Sequence, residues 1–378
     1  MIQLLKNVRV FREGAWRESQ LLIADRRIAC VADRIDCAFP GMEVVDGENM
    51  RAIPGYIDQH VHITGGGGEG GFSNQVPPLR FSAPVKAGIT TLVGLLGTDG
   101  TTRSVESLVA KTKALRENGL TAFCLTGAYE YPSPTVTGSV RRDIVLIEEC
   151  IGVKIAICDH RSATITRDEL ARLASDAHQA GILAKKPGIV HLHTGSGPDK
   201  LDIIFDVLEH SNIPIAVFRP THLANKVDAA VRFANMGGYI DFTCSAENPS
   251  KRGSVILDAI SRSPEGLVTM STDGNGSMPI WNEKNEMIGI GAGSVRSLHQ
   301  NILAMVDLGC PLEKAILPAT ENVARALSLY PRKGALQEGS DADITLLDEN
   351  NQIDTVFALG RLLLRHGEMQ VHCNFEEM

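Results

Sequence analysis

The pair His60-x-His62 is the first place in this chain where chemistry is legible. In an extended strand, residues i and i+2 point to one side, so the two imidazoles can hold one cation from the same face. An H-x-H pair alone is a weak signal, because histidines also fill polar gaps in cores. Its weight comes from residues that close other β-rich runs: His193 in GIVHLHTG, His222 in PTH and Asp273 in STDG. These imidazoles and the carboxylate form a nitrogen-and-oxygen set suited to zinc or another borderline divalent ion. His191 shares strand parity with His193 and competes with it. His193 is preferred because it lies nearer the carboxyl end of its run, and His191 reads as a hydrogen-bonded interior residue. His160, beside Arg161, reads as a substrate group or as support for a ligand. His178, His210, His299, His366 and His372 fall in helical or terminal segments and read as surface.

Lys154 sits in an apolar run, Gly152-Val153-Lys154-Ile155-Ala156-Ile157. A buried, unpaired ammonium is costly, so this lysine must lose its charge, find a carboxylate or be modified. The alternative is a lysine at a strand start whose amine reaches water.

Ligands this far apart in sequence converge only if their strands share one end. Eight strand-like runs are present: 52–58, 90–98, 121–129, 153–159, 188–195, 215–222, 239–245 and 267–274. Helical patterns lie between them, such as SVESLVAKTKALRENG, TRDELARLASDAHQAG and DKLDIIFDVLEH, several closing on a glycine stop signal. This alternation predicts an α/β fold, a TIM-type (β/α)8 barrel over residues 54–334, with function at the carboxyl ends of its strands. An open doubly wound sheet is the alternative, but no G-x-G-x-x-G follows the first strand. Residues 1–53 and 335–378 carry short strands and turns, including a hairpin tip at Asp25-Arg26-Arg27. Each piece is too small to fold alone, so the two are expected to pair into one small β-sandwich domain.

The composition, 43% hydrophobic and 22% charged, is that of an ordinary globular protein, and a net charge of -8 argues against nucleic acid. The sequence shows no apolar run long enough to span a membrane and no signal-peptide layout, so a cytoplasmic protein is expected. The eight cysteines contain no C-x-x-C pair and read as buried, reduced thiols.

With these residues in place, the set resembles the amidohydrolase superfamily. In that superfamily's two-metal members the strand-four lysine is carboxylated by CO2 and bridges both ions. The resemblance is sharper to the isoaspartyl dipeptidase family, through PGYIDQHVHITGGGGEGG, VGLLGTDG, LTGAY, TGSV, IGVKIAICDHRSA, KPGIVHLHTG, PTHLAN and STDGNGS. It implies two divalent ions, zinc first among them, held by His60, His62, Lys154 as N6-carboxylysine, His193, His222 and Asp273. It implies substrate roles for Glu69, Thr98, Tyr129, Arg161 and Ser277, and a homo-oligomer. The glycine run before Glu69 lacks the Gly-Lys-Ser/Thr ending of a phosphate loop and suits a flexible backbone that carries Glu69 over the site.

The implied reaction is hydrolysis of a β-aspartyl dipeptide by a hydroxide bridging the metals. Asp273 would move the proton and Tyr129 would steady the oxyanion, while Glu69 and Arg161 read the substrate's ammonium and carboxylate. One departure stands out. The family carries arginine three residues after the strand-six histidine, where this chain has Asn225; Lys226 follows as a candidate replacement, and Arg219 has the wrong strand parity. Two further readings stay open: hydrolysis of a cyclic amide or N-acyl amino acid at the same metals, and a metal-free barrel scaffold.

Overall fold

The computed structural model describes residues 1–198, 201–281, 287–371, 374 and 376. His372 and Cys373 lie outside the described residues. Each of the eight expected runs overlaps a strand. They are Tyr56–Val61, Ile89–Gly94, Thr121–Gly127, Cys150–Ile157, Ile189–Thr194, Phe218–Thr221, Ile240–Thr243 and Val268–Ser271. We number these parallel strands one to eight.

The first six form one parallel sheet in chain order, and the last two form a parallel pair. Nearly every residue in them is buried, as both faces of a parallel sheet under crossover helices should be. The sheet curls until strand one meets the end of strand eight. There Val61 bridges Gly274 and the His62 N–H donates to the Gly274 carbonyl at 2.8 Å. The buried Asp58 ties the same two strands together, accepting from the backbone N–H groups of His60 and Thr272 and from the Thr272 hydroxyl.

Helices Val105–Glu117 and Arg167–Ala184 start where their caps dictate, at Ser104 and at a Thr166/Glu169 capping box. Gly181 is not the stop signal its sequence suggests. The helix runs through it to Ala184 and ends on Lys185 in the left-handed region, φ 53. Gly181 serves packing instead, since a Cβ there would lie 2.8 Å from the Gly188 Cα.

The two chain ends form a mixed eight-stranded sheet, from Ile2–Arg12, Ala15–Ala24, Arg27–Ala32 and Glu43–Pro54 with Ile344–Leu347, Ile353–Ala358, Arg361–Arg365 and Glu368–Met369. The halves join where Glu43–Pro54 pairs antiparallel with Ile344–Leu347. Hydrogen bonding runs through all eight strands in a single order, where the sequence suggested a sandwich. Leu5, Val8, Leu21, Ile23, Ile344 and Phe357 share one apolar core in it.

An antiparallel hairpin, Ser277–Trp281 with Met287–Ala292, follows strand eight and was not expected from sequence. Two other expectations need correction. His299 is a core residue, 7% exposed, and sits 3.0 Å through its Nδ1 from the Tyr56 hydroxyl; its place on the inner face of helix Ser297–Asp307 buries it. All seven described cysteines are free thiols, but only Cys124, Cys150 and Cys244 are buried, while Cys30, Cys37, Cys158 and Cys310 are half-buried.

Candidate metal centre and substrate site

The alternation of strand one turns His60 and His62 to the same side, and both meet Asp273 after strand eight. Their Nε2 atoms lie 3.2 and 3.0 Å from Asp273 Oδ1. One ligand atom from each of the three falls within 4.8 Å of the others. Lys154 is fully buried within strand four, so its amine does not reach water; Nζ lies 3.3 Å from His60 Nε2. The His222 ring is 5.1 Å from that of His60 and 4.5 Å from that of His193. Every metal-ligand candidate read from the sequence therefore lies in one contiguous cluster.

Three non-glycine residues at strand ends, Cys158, His222 and Asp273, take left-handed backbone at φ 54, 64 and 54. That conformation costs roughly 1–2 kcal/mol each, and non-glycine residues held in it concentrate at functional sites.

Burial sets the charge state. It pulls His60 down to about 3 and His193 to about 4, and holds His191 and His222 well below the usual imidazole range. All four rings are therefore neutral, each with one protonated nitrogen and one that carries a lone pair. Burial also brings the Lys154 ammonium down to about 7. Burial pushes the Asp273 carboxyl up, but His60, His62 and His222 outweigh it and keep Asp273 ionised.

The ring nitrogens test whether a metal suits this cluster. His193 Nε2 lies 2.8 Å from Asp159 Oδ2 and its Nδ1 lies 2.6 Å from the Tyr129 hydroxyl oxygen. His222 Nδ1 is 2.6 Å from Thr243 Oγ1, and His60 Nδ1 is 2.9 Å from His191 Nε2. His222 Nε2 and His62 Nδ1 are buried with no hydrogen-bond partner. Orphaned buried nitrogens are costly and rare, and a divalent cation is the ligand that imidazoles and a carboxylate would satisfy. The residues present fit such an ion.

At the rim, Glu69 Oε1 accepts from Thr98 Oγ1 at 2.8 Å, from Arg161 Nη1 at 3.1 Å and from Ser277 Oγ at 3.3 Å. The Arg161 guanidinium lies 5.5 Å from the centre of the Tyr129 ring. The structure thus brings Glu69, Thr98, Tyr129, Arg161 and Ser277 together beside the histidines. Burial raises the Glu69 carboxyl, yet its own backbone N–H, Thr98, Arg161 and Ser277 hold it below its ordinary value. Asp159 raises Arg161 by accepting from Nε at 3.0 Å and Nη2 at 2.8 Å.

Sequence reading passed over Asp159. It supports both Arg161 and His193, and its only signal was its place as the last residue of the strand-four run. Thr243, inside the 239–245 run, was passed over as well. His160, weighed as a substrate group, leaves its side chain 86% exposed. The glycine run is not loose backbone. Gly65 has φ +85 and a Cβ there would come within 1.9 Å of the Val76 carbonyl oxygen, so glycine permits close packing of the loop that carries Glu69.

The two basic residues weighed for the place of that arginine both donate to backbone carbonyls. Lys226 is buried and donates to the carbonyls of Thr194 and Gly195, while Arg219 is spent on the carbonyls of Ala216, Phe218 and Ala326.

The Amidohydrolase family model matches residues 51–363. The chain belongs to the amidohydrolase family. This amidohydrolase is similar over its full length to a β-aspartyl dipeptidase of Fervidobacterium islandicum AW-1, solved in complex with a β-Asp-Leu dipeptide. The two share 38% identity with a TM-score of 0.92, and the match covers 100% of each chain. A D-hydantoinase of a Thermus species shares the fold, with a TM-score of 0.68 at 16% identity over 99% of this chain and 97% of that one. A dihydroorotase of Staphylococcus epidermidis is 27% identical over 116 residues, which is 31% of this chain and about a quarter (26%) of that protein's length.

Proposed function

We propose that this amidohydrolase hydrolyses β-aspartyl dipeptides at a two-metal centre. The observation that carries the reading is the opposed pair Glu69 and Arg161, 3.1 Å apart beside the histidine cluster. A β-aspartyl dipeptide brings an ammonium and a carboxylate to such a pair, and each can exchange its partner for one on the substrate. The likeness to a β-aspartyl dipeptidase solved with β-Asp-Leu supports the same substrate class.

His60, His62, Lys154, His193, His222 and Asp273 would hold two divalent ions, with zinc favoured by the donor set. Lys154 would do so as its N6-carboxy derivative. A buried amine that titrates near 7 is about half neutral at that pH, and the neutral amine is the form in which nitrogen adds to CO2. When bound, the ions would supply Lewis acidity, polarising the scissile carbonyl and lowering the pKa of water towards neutrality.

The chain's own groups do the rest. Asp273, ionised and central, is placed to take a proton from the attacking water and return it to the departing amine. Burial keeps Tyr129 protonated, so its hydroxyl can donate to the oxyanion as charge develops. Asp159 grips Arg161 through Nε and Nη2 and leaves Nη1 for a carboxylate. Glu69 receives the ammonium, with Thr98 and Ser277 fixing its carboxylate.

The reading includes a closed (β/α)8 barrel over 54–334 and a second domain from 1–53 and 335–378, supported by the Val61 to Gly274 bridge and the shared terminal sheet. A cytoplasmic homo-oligomer completes it, on the strength of the family resemblance and the free thiols. No helix among the described residues is long and apolar enough to cross a membrane.

The test is hydrolysis of β-Asp-Leu, α-Asp-Leu and N-acetyl-leucine by protein loaded with zinc in bicarbonate. Turnover of the β-linked peptide alone is expected. Turnover confined to N-acetyl-leucine would move the substrate to the N-acyl amino acids.

A further inference from the structure

We infer that His191 is a positioning residue for the metal centre, holding the His60 ring and setting which of its nitrogens carries the proton. The inference rests on the two-metal reading and goes beyond it to a residue outside the ligand set.

His191 pairs in register with Lys154 of strand four, so the two side chains leave the sheet on the same side. It is fully buried, its Nε2 lies 2.9 Å from His60 Nδ1, and the rings meet edge to face at 72° with centroids 4.9 Å apart. The opposite nitrogen of His60, Nε2, faces Asp273 and Lys154. A ligand nitrogen must offer a lone pair. Nε2 can do so only if the His60 proton is on Nδ1, where it donates to His191 Nε2.

His193 and His222 are held in the same manner, by Asp159 and Thr243. His191 completes the pattern with an imidazole in place of a carboxylate or hydroxyl. Packing alone does not account for it. His191 Nδ1 is buried with no hydrogen-bond partner, a cost that leucine or valine at this position would avoid. The compensating bond is the one to His60.

The experiment compares wild type with His191→Leu and His191→Gln. Zinc affinity is measured against a chromophoric chelator, bound metal by elemental analysis, and coordination by the visible spectrum of the cobalt-substituted protein. Removing the ring should weaken zinc binding by about 10–100-fold and shift the cobalt bands. Glutamine, whose amide oxygen can accept the His60 proton, should restore most of the affinity and the spectrum. Circular dichroism of the metal-free proteins establishes that each is folded; if His191→Leu is not, His191→Asn, too short to reach His60, takes its place.

Wild-type affinity and spectrum in the leucine variant would overturn the inference. So would equal losses in the leucine and glutamine variants, which would make His191 a packing residue. Wild-type protein that takes up no metal would instead overturn the two-metal reading.

Discussion

Two buried ionic clusters among the described residues are built differently. Near the junction of the terminal sheet with the parallel strands, Lys333 is 2% exposed and reaches Asp341 at 2.9 Å, Asp343 at 2.5 Å and Thr121 Oγ1 at 2.6 Å. Arg27 and Arg332 add their charges to Asp341. That cluster satisfies itself. At the carboxyl ends of the parallel strands, Lys154 forms no ion pair with a carboxylate among the described residues, and the rings around it leave buried nitrogens without partners. A buried polar cluster that completes its own bonds locks a fold together, whereas one left incomplete in this way awaits a ligand.

The largest expected effect is at the incomplete cluster. Asp273→Asn should lower kcat on β-Asp-Leu by roughly 10²–10⁴-fold, the usual worth of a positioned acid and base, with little change in the melting temperature of the metal-free protein. A variant that keeps wild-type kcat would remove Asp273 from the proton transfer. The complete cluster should respond in the opposite manner. Lys333→Met leaves the buried Asp343 without its cation and removes one of three from Asp341, and should cost about 3–5 kcal/mol in urea unfolding while kcat of the folded enzyme is unchanged. Equal loss of activity and stability would mean that the clusters are coupled.

Glu69→Gln keeps the shape of the rim but removes the charge that meets an ammonium. About a hundredfold loss in kcat/KM is expected for β-Asp-Leu, with N-acetyl-leucine, whatever its basal rate, unaffected. Equal activity on the dipeptide would sink the assigned role.

Lys154 gives a pH signature in metal-free protein. It binds its proton more weakly folded, at about 7, than unfolded, at 10.5. Its penalty is therefore complete below pH 7 and is relieved as pH rises towards 10.5. Urea midpoints should show a gain over that window that Lys154→Met lacks, and identical profiles would show that the lysine is not titrating there. The smallest effect is expected from Asn225→Arg. Gaining one charge-assisted hydrogen bond to a substrate carboxylate should lower KM for β-Asp-Leu by up to about tenfold, whereas an unchanged KM would place that carboxylate elsewhere.

Much of this was legible in the chain. The eight strands read correctly because parallel strands buried on both faces leave continuous apolar runs, and each run ended near the residue its loop presents. Glu69 and Arg161 were named only through family resemblance, since an isolated carboxylate in a glycine-rich loop carries no periodic signal. Gly181 and His299 misled. A glycine in a helix can mean a stop or a close approach, and a histidine on a helix can sit on either face, depending on what packs against it.

The sequence by itself determined the inventory of parallel strands, the inward parity of His60 and His62, and the apolar setting that makes Lys154 awkward, because all three depend on local spacing along the chain. Tertiary structure alone decided which nitrogen of each ring is spoken for. Asp159 meets His193 from 34 positions away and His191 meets His60 from 131, distances over which sequence holds no geometric information until the sheet curls. It also decided that Lys226, next to Asn225, turns to the carbonyls of Thr194 and Gly195.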